Sequence, residues 1–374
     1  MKRLLAISFM LLITQLAFAQ VSTPPSGDNQ KASVTQWIGM ATVTITYSSP
    51  DVHGTAGEDR KGHIWGELVH YGFIDQGYGS SKAGPWRAGA NENTTISFSH
   101  DVQIDGKTIK AGTYGLFIDV EKDGPWQWIF SKNASSWGSY FYNEADDALR
   151  VKATPTDAPY AEWLTYGFDD RLPTSTVAYM TWENKRLAFK VDVPNVYDLY
   201  VDQIRKDLDG TVTGFDYNNY IAAARFCADH KVQLEQGLRW AEYAIDENFV
   251  GKKDFSTLQT KAIVLSAMGK QKEADDIMDL AIKEPTASVQ GIHQYGRALL
   301  ANGKTQKALE IFQYNRKQHP EDKFTTYVGL ARGYTASGDK KNAIKNWETA
   351  IKNLPNDQKA NAGQYEAELK KLKG

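Results

Sequence analysis

The loop from residue 86 to residue 94 combines side chains that can bind a polar ligand, in the order Trp-Arg-Ala-Gly-Ala-Asn-Glu-Asn-Thr. A guanidinium offers paired donors in a planar fork, so Arg87 and Arg60 could hold a carboxylate or a phosphate. Asn91 and Glu92 could hydrogen-bond to hydroxyl groups, and Trp86 could stack on a sugar ring. These five residues are the candidate ligand-binding residues.

The same loop also fits a purely structural role. Arg87 could pair with Glu92 or Glu67, and Asn91 could satisfy backbone groups of the loop, as Asn often does in turns. Structural ion pairs are commoner than active sites, so the residue types alone leave both interpretations open.

A metal site is the second chemical alternative, because six candidate ligands fall within twenty residues. They are Asp51, His53, Asp59, His63, Glu67 and His70. Imidazole and carboxylate suit zinc, but the spacing matches no ligand motif. His63, Glu67 and His70 would share a face only on a helix, whereas this segment looks extended. We therefore predict no metal and no cofactor.

Signals for nucleophilic or phosphate chemistry are weaker. The single cysteine, Cys227, lies in a helical pattern and is expected to be part of the core. No Gly-x-Ser-x-Gly elbow occurs, and the glycines of residues 72–84 lack the Lys-Ser/Thr and helix of a phosphate-binding loop. With no recognisable catalytic motif, the sequence favours a protein that is not an enzyme.

Residues 1–19 have the pattern of a cleaved secretory signal peptide: Lys2 and Arg3, an apolar run, then small residues around Phe18. The run is too short for a comfortable membrane span, so we expect a mature chain that starts near Gln20 and does not cross a membrane. Loss of the two basic residues shifts the formal net charge from −2 to −4, which disfavours nucleic acid as a partner. We expect a periplasmic or secreted protein.

The chain of 374 residues is expected to form two domains, and eight of its ten Trp precede residue 185. Residues 20–36, rich in Ser, Thr and Pro, read as a flexible leader. Alternating runs with Asp-Gly turns at Asp105 and Asp123 predict hairpins, and Glu183-Asn184 is read as a third turn. A short helix is expected from Asn143 to Leu149. Residues 37–194 should form an antiparallel β-sandwich.

After Pro194 the periodicity becomes helical, and a repeat of 34 and then 35 residues follows. Ala262, Gly269, Ala274 and Ala281 recur as Gly296, Gly303, Ala308 and Asn315, and again as Ala331, Gly338, Ala343 and Ala350. This pattern resembles the tetratricopeptide repeat, in which small residues let paired helices approach closely. The resemblance implies a groove that holds a protein or peptide partner; the alternative is a purely structural appendage.

Within this second half we expect a connector helix over residues 195–216 and repeats over residues 217–357. The first repeat unit, from Tyr217 to Val250, is divergent. A polar capping helix should follow over residues 358–374. The predicted fold class is therefore α+β, with a β-sandwich followed by a helical solenoid.

Several motifs of the first half are similar to those of the exported bacterial family called domain of unknown function 2911. They are Arg60-Lys61-Gly62, Ile64-Trp65-Gly66-Glu67-Leu68-Val69, Tyr71-Gly72, Trp86-Arg87-Ala88-Gly89-Ala90-Asn91-Glu92, Ala111-Gly112-Thr113-Tyr114-Gly115-Leu116, Trp137-Gly138 and Asp146-Asp147-Ala148-Leu149-Arg150-Val151. The resemblance covers about residues 40–193. It implies a fold and a compartment but no reaction, and this chain departs from the family by a longer glycine-rich insert, residues 73–85.

These observations predict a binding or scaffolding protein of the cell envelope that engages a protein partner through its repeats. The alternative is a periplasmic enzyme or carbohydrate-binding protein, in which the loop from Trp86 to Glu92 binds a small polar ligand or a glycan.

Overall fold

A computed structural model describes residues 29–54 and 56–374. The predicted signal peptide and the start of the predicted leader lie outside these residues. The chain divides into two compact units, one ending at Val196 and the other beginning at Tyr197. We call them the β unit and the helical unit.

The β unit contains two antiparallel sheets. The six-stranded sheet has the order β1 (Gln30–Ile38), β2 (Ala41–Ser49), β3 (Thr95–Phe98), β6 (Gly112–Asp119), β7 (Trp126–Ser131) and β8 (Asp147–Ala153). The four-stranded sheet has the order β5 (Lys107–Ile109), β4 (Val102–Ile104), β10 (Ser175–Asp192) and β9 (Thr156–Leu172). The Asp105 and Asp123 turns connect β4 to β5 and β6 to β7, as predicted.

Large aromatic side chains from both sheets meet in the core. The ring centroid of Phe189 on β10 lies 5.1 Å from that of Trp128 on β7 and 5.4 Å from that of Phe130. Tyr166 on β9 similarly approaches Tyr47 on β2 at 4.8 Å. The two sheets therefore pack face to face, and the alternating inward residues of both sheets fill the space between them.

The prediction of a flexible leader is wrong for its last seven residues, because residues 30–36 belong to β1. That strand pairs with β2 over its whole length, and Val34 lies opposite Ile45. Its polar composition hid it from the sequence pattern, yet an edge strand can carry polar side chains when one face is solvated. Hydroxyl groups supply part of the cross-strand contact, as between Thr35 and Thr44 at 2.9 Å.

Two other local predictions are also corrected. Glu183 lies in a β-bulge inside β10 rather than in a hairpin turn, with φ of 52°, and the real turn falls between Leu172 and Ser175. Asn143 does cap a helical segment, but only a single 3₁₀ turn, Glu144–Asp146, before β8 begins. Pairing of β8 with β7 outweighs the local helical signal.

The helical unit contains ten α-helices within the described residues. They are α1 (Val196–Leu208), α2 (Tyr217–His230), α3 (Leu234–Asp246), α4 (Phe255–Ala267), α5 (Gln271–Ala281), α6 (Val289–Ala301), α7 (Thr305–Gln318), α8 (Thr325–Ser337), α9 (Lys340–Lys352) and α10 (Ala362–Lys373). Helices α2 to α9 form four antiparallel pairs, in agreement with tetratricopeptide-like repeats.

The small residues of the repeat lie where helices cross. A Cβ added to Gly296 on α6 would come within 2.4 Å of the Phe312 ring on α7. Phe312 itself is completely buried. The turn glycines Gly269, Gly303 and Gly338 have positive φ, as the tight link between paired helices requires. In the divergent first pair, Lys231 takes the place of the turn glycine and has the same left-handed backbone conformation, with φ of 54°.

The first helices of successive pairs lie side by side: α2 contacts α4, and α6 contacts α8. We call the face that α2, α4, α6 and α8 form the first-helix surface. Helix α10 packs on α9 at the end of the array, where Tyr365 contacts Phe324 and Trp347. Across residues 29–54 and 56–374, none of the helices has the length and apolar character that crossing a membrane requires.

Candidate functional site

The loop from Trp86 to Thr94 is fixed to the β unit at several points. Trp86 forms two backbone hydrogen bonds with Ile118, and the amide of Ala90 donates to the carbonyl of Ser48 at 3.1 Å. The carbonyl of Ala88, a completely buried residue with φ of 52°, accepts hydrogen bonds from the hydroxyls of Thr94 and Tyr166. The loop is thus a buried connection between strands.

Trp86 is part of the core. Its side chain is only 7% exposed, and its ring stacks on that of Trp182 with centroids 6.0 Å apart. Trp65 meets both rings edge-on, and Trp126 packs against Trp65. A ring enclosed in this way cannot stack on a sugar, so the structure argues against that role for Trp86.

Arg87 and Asn91 contact each other rather than a shared cavity. The Arg87 guanidinium donates to the carbonyl of Asn91 at 2.7 Å and lies 5.1 Å from the centre of the Tyr140 ring. Gly138 has φ of 60°, and a Cβ there would come within 2.2 Å of that guanidinium, so glycine suits this position. Asn91 adopts φ of 56°, and its Nδ2 is buried without a hydrogen-bond partner.

Glu92 and Arg60 each have a partner of their own. Glu92 accepts a hydrogen bond from the Ser48 hydroxyl at 3.2 Å and lies 3.7 Å from the Lys31 ammonium. Arg60 pairs with the buried carboxylate of Asp51 at 3.1 Å. Neither residue pairs with Arg87 among the contacts of the described residues. Ligand binding by Arg60, Arg87, Asn91 and Glu92 stays a prediction.

The candidate metal ligands separate into small groups. His53 lies 2.8 Å from Glu162 and 3.3 Å from Asp59, while His63 contacts Glu67 at 2.9 Å. His70 is 3.0 Å from the carbonyl of Gly72. In the part of the protein that the structure describes, no three such side chains are arranged to hold a metal ion.

Glu162 and Tyr160 of β9 complete the His53 group, which the sequence spacing could not show. The Tyr160 hydroxyl donates to Glu162, and this hydrogen bond, together with those from His53, lowers the pKa of Glu162 to about 2. In return, the hydrogen bond to Glu162 raises the pKa of His53. All three side chains are satisfied by one another on the surface.

On each side of α6, the described residues of the helical unit line a pocket. The first lies between α4, α5 and α6, at a point where α4 and α6 approach each other less closely than α2 and α4 or α6 and α8 do. It has a volume of about 300 Å³, and its apolar lining includes Ile263, Met278, Ala298 and Leu299. We call it the apolar pocket.

The second pocket, which we call the arginine pocket, lies between α6, α8 and α10 and has a volume of about 490 Å³. Arg297 of α6 and Arg332 of α8 line it, together with the buried His293. The sequence motifs considered above do not include these residues. A signal was nevertheless present, because Arg297 and Arg332 stand 35 residues apart at equivalent places in consecutive repeats.

The β unit matches a known family. Residues 29–191 fit the family described as "Protein of unknown function (DUF2911)", which confirms the resemblance found in the sequence motifs. The family boundary at residue 29 agrees with the start of β1. No curated protein matches the sequence.

The helical unit is similar to several solved structures of repeat proteins. One is the C-terminal part of a TPR repeat-containing protein from Cytophaga hutchinsonii, with 14% identity and a TM-score of 0.35, covering 48% of this chain and 74% of that one. Another is YrrB, described as a TPR protein with an unusual peptide-binding site. It has 16% identity and a TM-score of 0.31, and the match covers 46% of this chain and 89% of YrrB. A MamA fragment from Desulfovibrio magneticus RS-1 matches at 19% identity and a TM-score of 0.28, covering 42% of this chain and 94% of the fragment.

Proposed function

We propose that this protein is an exported binding protein of the bacterial cell envelope whose first-helix surface holds a segment of a protein partner. The export part of the proposal is supported by the basic, apolar and small-residue pattern of residues 1–19. The binding part is supported by the helical unit, and catalysis is not part of the proposal.

The observation that carries the binding proposal is the apolar pocket. Its position between two first helices makes it reachable from the surface, and a pocket of about 300 Å³ can receive one large apolar side chain. Burying such a group contributes roughly 1.5–3 kcal/mol, enough to anchor an otherwise polar segment. Anchors of this kind, placed in a pocket near the centre of a contact surface, dominate the binding energy of protein interfaces.

The binding proposal is tested by filling the pocket. In the substitution Ala298→Trp, the indole would occupy the apolar pocket from the exposed face of α6. The matched control, Ala336→Trp, places the same ring at an exposed position of α8 that lines neither pocket. Peptides are selected from a random display library on the full mature protein and their affinities measured by calorimetry.

We expect Ala298→Trp to weaken the selected peptides at least about tenfold, the loss of one apolar anchor, and the control to leave binding unchanged. Equal binding by both variants would refute the proposal. Export is tested separately by cell fractionation and by the mass of the recovered protein. A protein that retains residues 1–19 in the cytoplasm would contradict that part.

A further inference from the structure

Two of the six arginines of the helical unit have no hydrogen-bond or ion-pair partner among the described residues, and both line the arginine pocket. The other four are engaged. Arg205 pairs with Asp202, Arg225 donates to Thr260 and Gln259, and Arg239 donates to Gln236. Arg316 donates to backbone carbonyls of the loop that follows α7. The exceptions, Arg297 and Arg332, are neighbours.

Arg332 is the more constrained of the two. Its Nε is buried and has no hydrogen-bond partner, and its guanidinium lies 5.8 Å from the Trp347 ring. Burial lowers the pKa of Arg332, and the neighbouring charge of Arg297 lowers it further. An arginine remains protonated under such conditions, so two like charges share one pocket at a cost in free energy. The carboxylate of Glu368 offsets part of that cost, and a bound anion would offset more of it.

The rest of the lining is neutral or nearly so. Amide and hydroxyl groups of Gln290, Thr325, Gln358, Asn361 and Gln364 surround the two guanidiniums, and Asp357 is the one carboxylate among the lining residues. Among the contacts within residues 29–54 and 56–374, Asp357 forms no ion pair with either arginine. Asn361 donates to Gln358, and Gln358 donates to Asp357, so the side chains of Gln290, Thr325 and Gln364 are the further donors for an anionic oxygen.

His293 lies at the base of the pocket, 6% exposed and flanked by α8. A Cβ on Gly329 of α8 would come within 3.1 Å of its Nδ1, an atom without a hydrogen-bond partner. Arg332 Nε and His293 Nδ1, two buried nitrogens without hydrogen-bond partners, thus belong to side chains that line the same cavity. Buried polar groups without partners are rare, and a ligand is one explanation for them.

We propose that the arginine pocket binds a carboxylate group of the partner segment, held by Arg297 and Arg332. This inference rests on the proposed function, since it assigns the chemistry of a ligand for the same surface. A planar guanidinium fork matches the two oxygens of a carboxylate, and both arginines line one cavity. The carboxylate belongs either to an Asp or Glu side chain or to the free C-terminus of the segment.

The apolar pocket fixes a second property of the ligand. The two pockets lie on opposite sides of α6, where Arg297 faces one and Ala298 faces the other. A helix is about 10 Å across, and an extended peptide advances about 3.3 Å per residue. The partner segment should therefore carry an apolar residue about three positions from the carboxylate.

The test is selection from a random dodecapeptide display library with free C-termini on the full mature protein, followed by calorimetry on the enriched peptides. We expect enriched peptides to carry an acidic residue, or their own C-terminus, at a fixed distance from an apolar residue. Replacing the acid by its amide, or amidating the C-terminus, identifies which carboxylate is bound. Whichever change removes that carboxylate should weaken binding about tenfold or more.

Variants of the protein provide the second arm. Arg297→Gln changes an exposed side chain and should fold normally, and it should weaken the acidic peptide about tenfold while sparing its amide version. Arg332→Gln should act similarly, and Arg239→Gln, an arginine outside the arginine pocket, should have no effect. Circular dichroism of each variant confirms folding.

The outcomes separate the inference from the proposed function. Enriched peptides without an acid, bound equally by Arg297→Gln and lost in Ala298→Trp, would overturn the carboxylate assignment and leave the binding function standing. A selection that enriches no peptide would overturn both.

Discussion

The loop of residues 86–94 and the arginine pocket contain similar chemistry but use it in opposite ways. In the loop, Arg87 donates to a backbone carbonyl and Trp86 is enclosed by other tryptophans. In the pocket, Arg297 and Arg332 have no partner among the described residues. The difference teaches that residue types nominate a site, whereas unsatisfied hydrogen-bonding groups beside a cavity make the stronger argument for one.

The largest predicted effect tests whether the loop is structural. Trp86→Ala should destabilise the protein by about 3–5 kcal/mol, because it opens a cavity within a cluster of four tryptophans. Trp37→Ala, at a residue 62% exposed, is the matched control and should change stability little. Chemical denaturation of both variants measures the difference. Similar stabilities would mean that the ring of Trp86 is not part of the core.

The second prediction concerns the unpartnered histidine of the pocket. Burial, together with the charges of Arg332 and Arg297, lowers the pKa of His293 to about 4. As the pH falls, His293 is therefore protonated in the unfolded state before it is protonated in the folded state. The contribution of His293 to the free energy of unfolding should be fully present above pH 6.5, the ordinary pKa of histidine. It should be lost between pH 6.5 and pH 4, which lowers the free energy of unfolding by up to about 3 kcal/mol.

Denaturation of the wild type and of His293→Gln at pH 7, 5.5 and 4 isolates this contribution from that of Asp322 and the other acids. The stability of the wild type should fall more steeply in this interval than that of the variant. Parallel pH profiles would show that His293 is not kept neutral by its surroundings.

A third experiment weighs one hydrogen bond of the loop. Tyr166→Phe removes the buried hydroxyl that donates to the Ala88 carbonyl at 2.7 Å. We expect a loss of about 1–2 kcal/mol, because the carbonyl retains only its bond from Thr94. Tyr160→Phe, which alters an exposed hydroxyl, serves for comparison. Equal stabilities of these two variants would contradict a fixed loop.

The smallest effect contrasts two histidines by nuclear magnetic resonance titration. The hydrogen bond to Glu162, with support from Asp59, raises the pKa of His53, so its ring should titrate above 6.5 while His293 titrates below it. Glu162→Gln should return His53 toward its ordinary value and leave His293 unchanged. A His53 that titrates at the same pH in the variant would mean that the surface contact is absent in solution.

Much of the fold could be predicted from the sequence because it is encoded locally. Asp-Gly turns mark the hairpins at Asp105 and Asp123, and small residues at a fixed period mark the helix pairs. Prediction failed where distant pairing overrides local pattern. The polar strand β1 exists because β2 lies beside it, and Glu183 stays within β10 because β9 pairs on both sides of the bulge.

The candidate sites were harder to predict for a physical reason. Nothing in the order of residues shows that the Ala88 carbonyl accepts two hydroxyls, or that Trp86 is enclosed by Trp65 and Trp182. Conversely, Arg297 and Arg332 look like ordinary surface residues of a helix until a third element, α10, encloses the space beside them. A site made of residues from several repeats depends on the assembled surface.

The wider spacing between α4 and α6 has a mechanical consequence. Repeat arrays are stabilised by the contact of each pair with the next, so residues at a widely spaced pair of first helices have less support from their neighbours. Amide protons of α4 and α6 that border the apolar pocket should exchange with solvent sooner than those of α8, through local opening. Because a buried apolar cluster joins α4 and α5 to α6 and α7 beneath the pocket, this opening should stay local rather than divide the array.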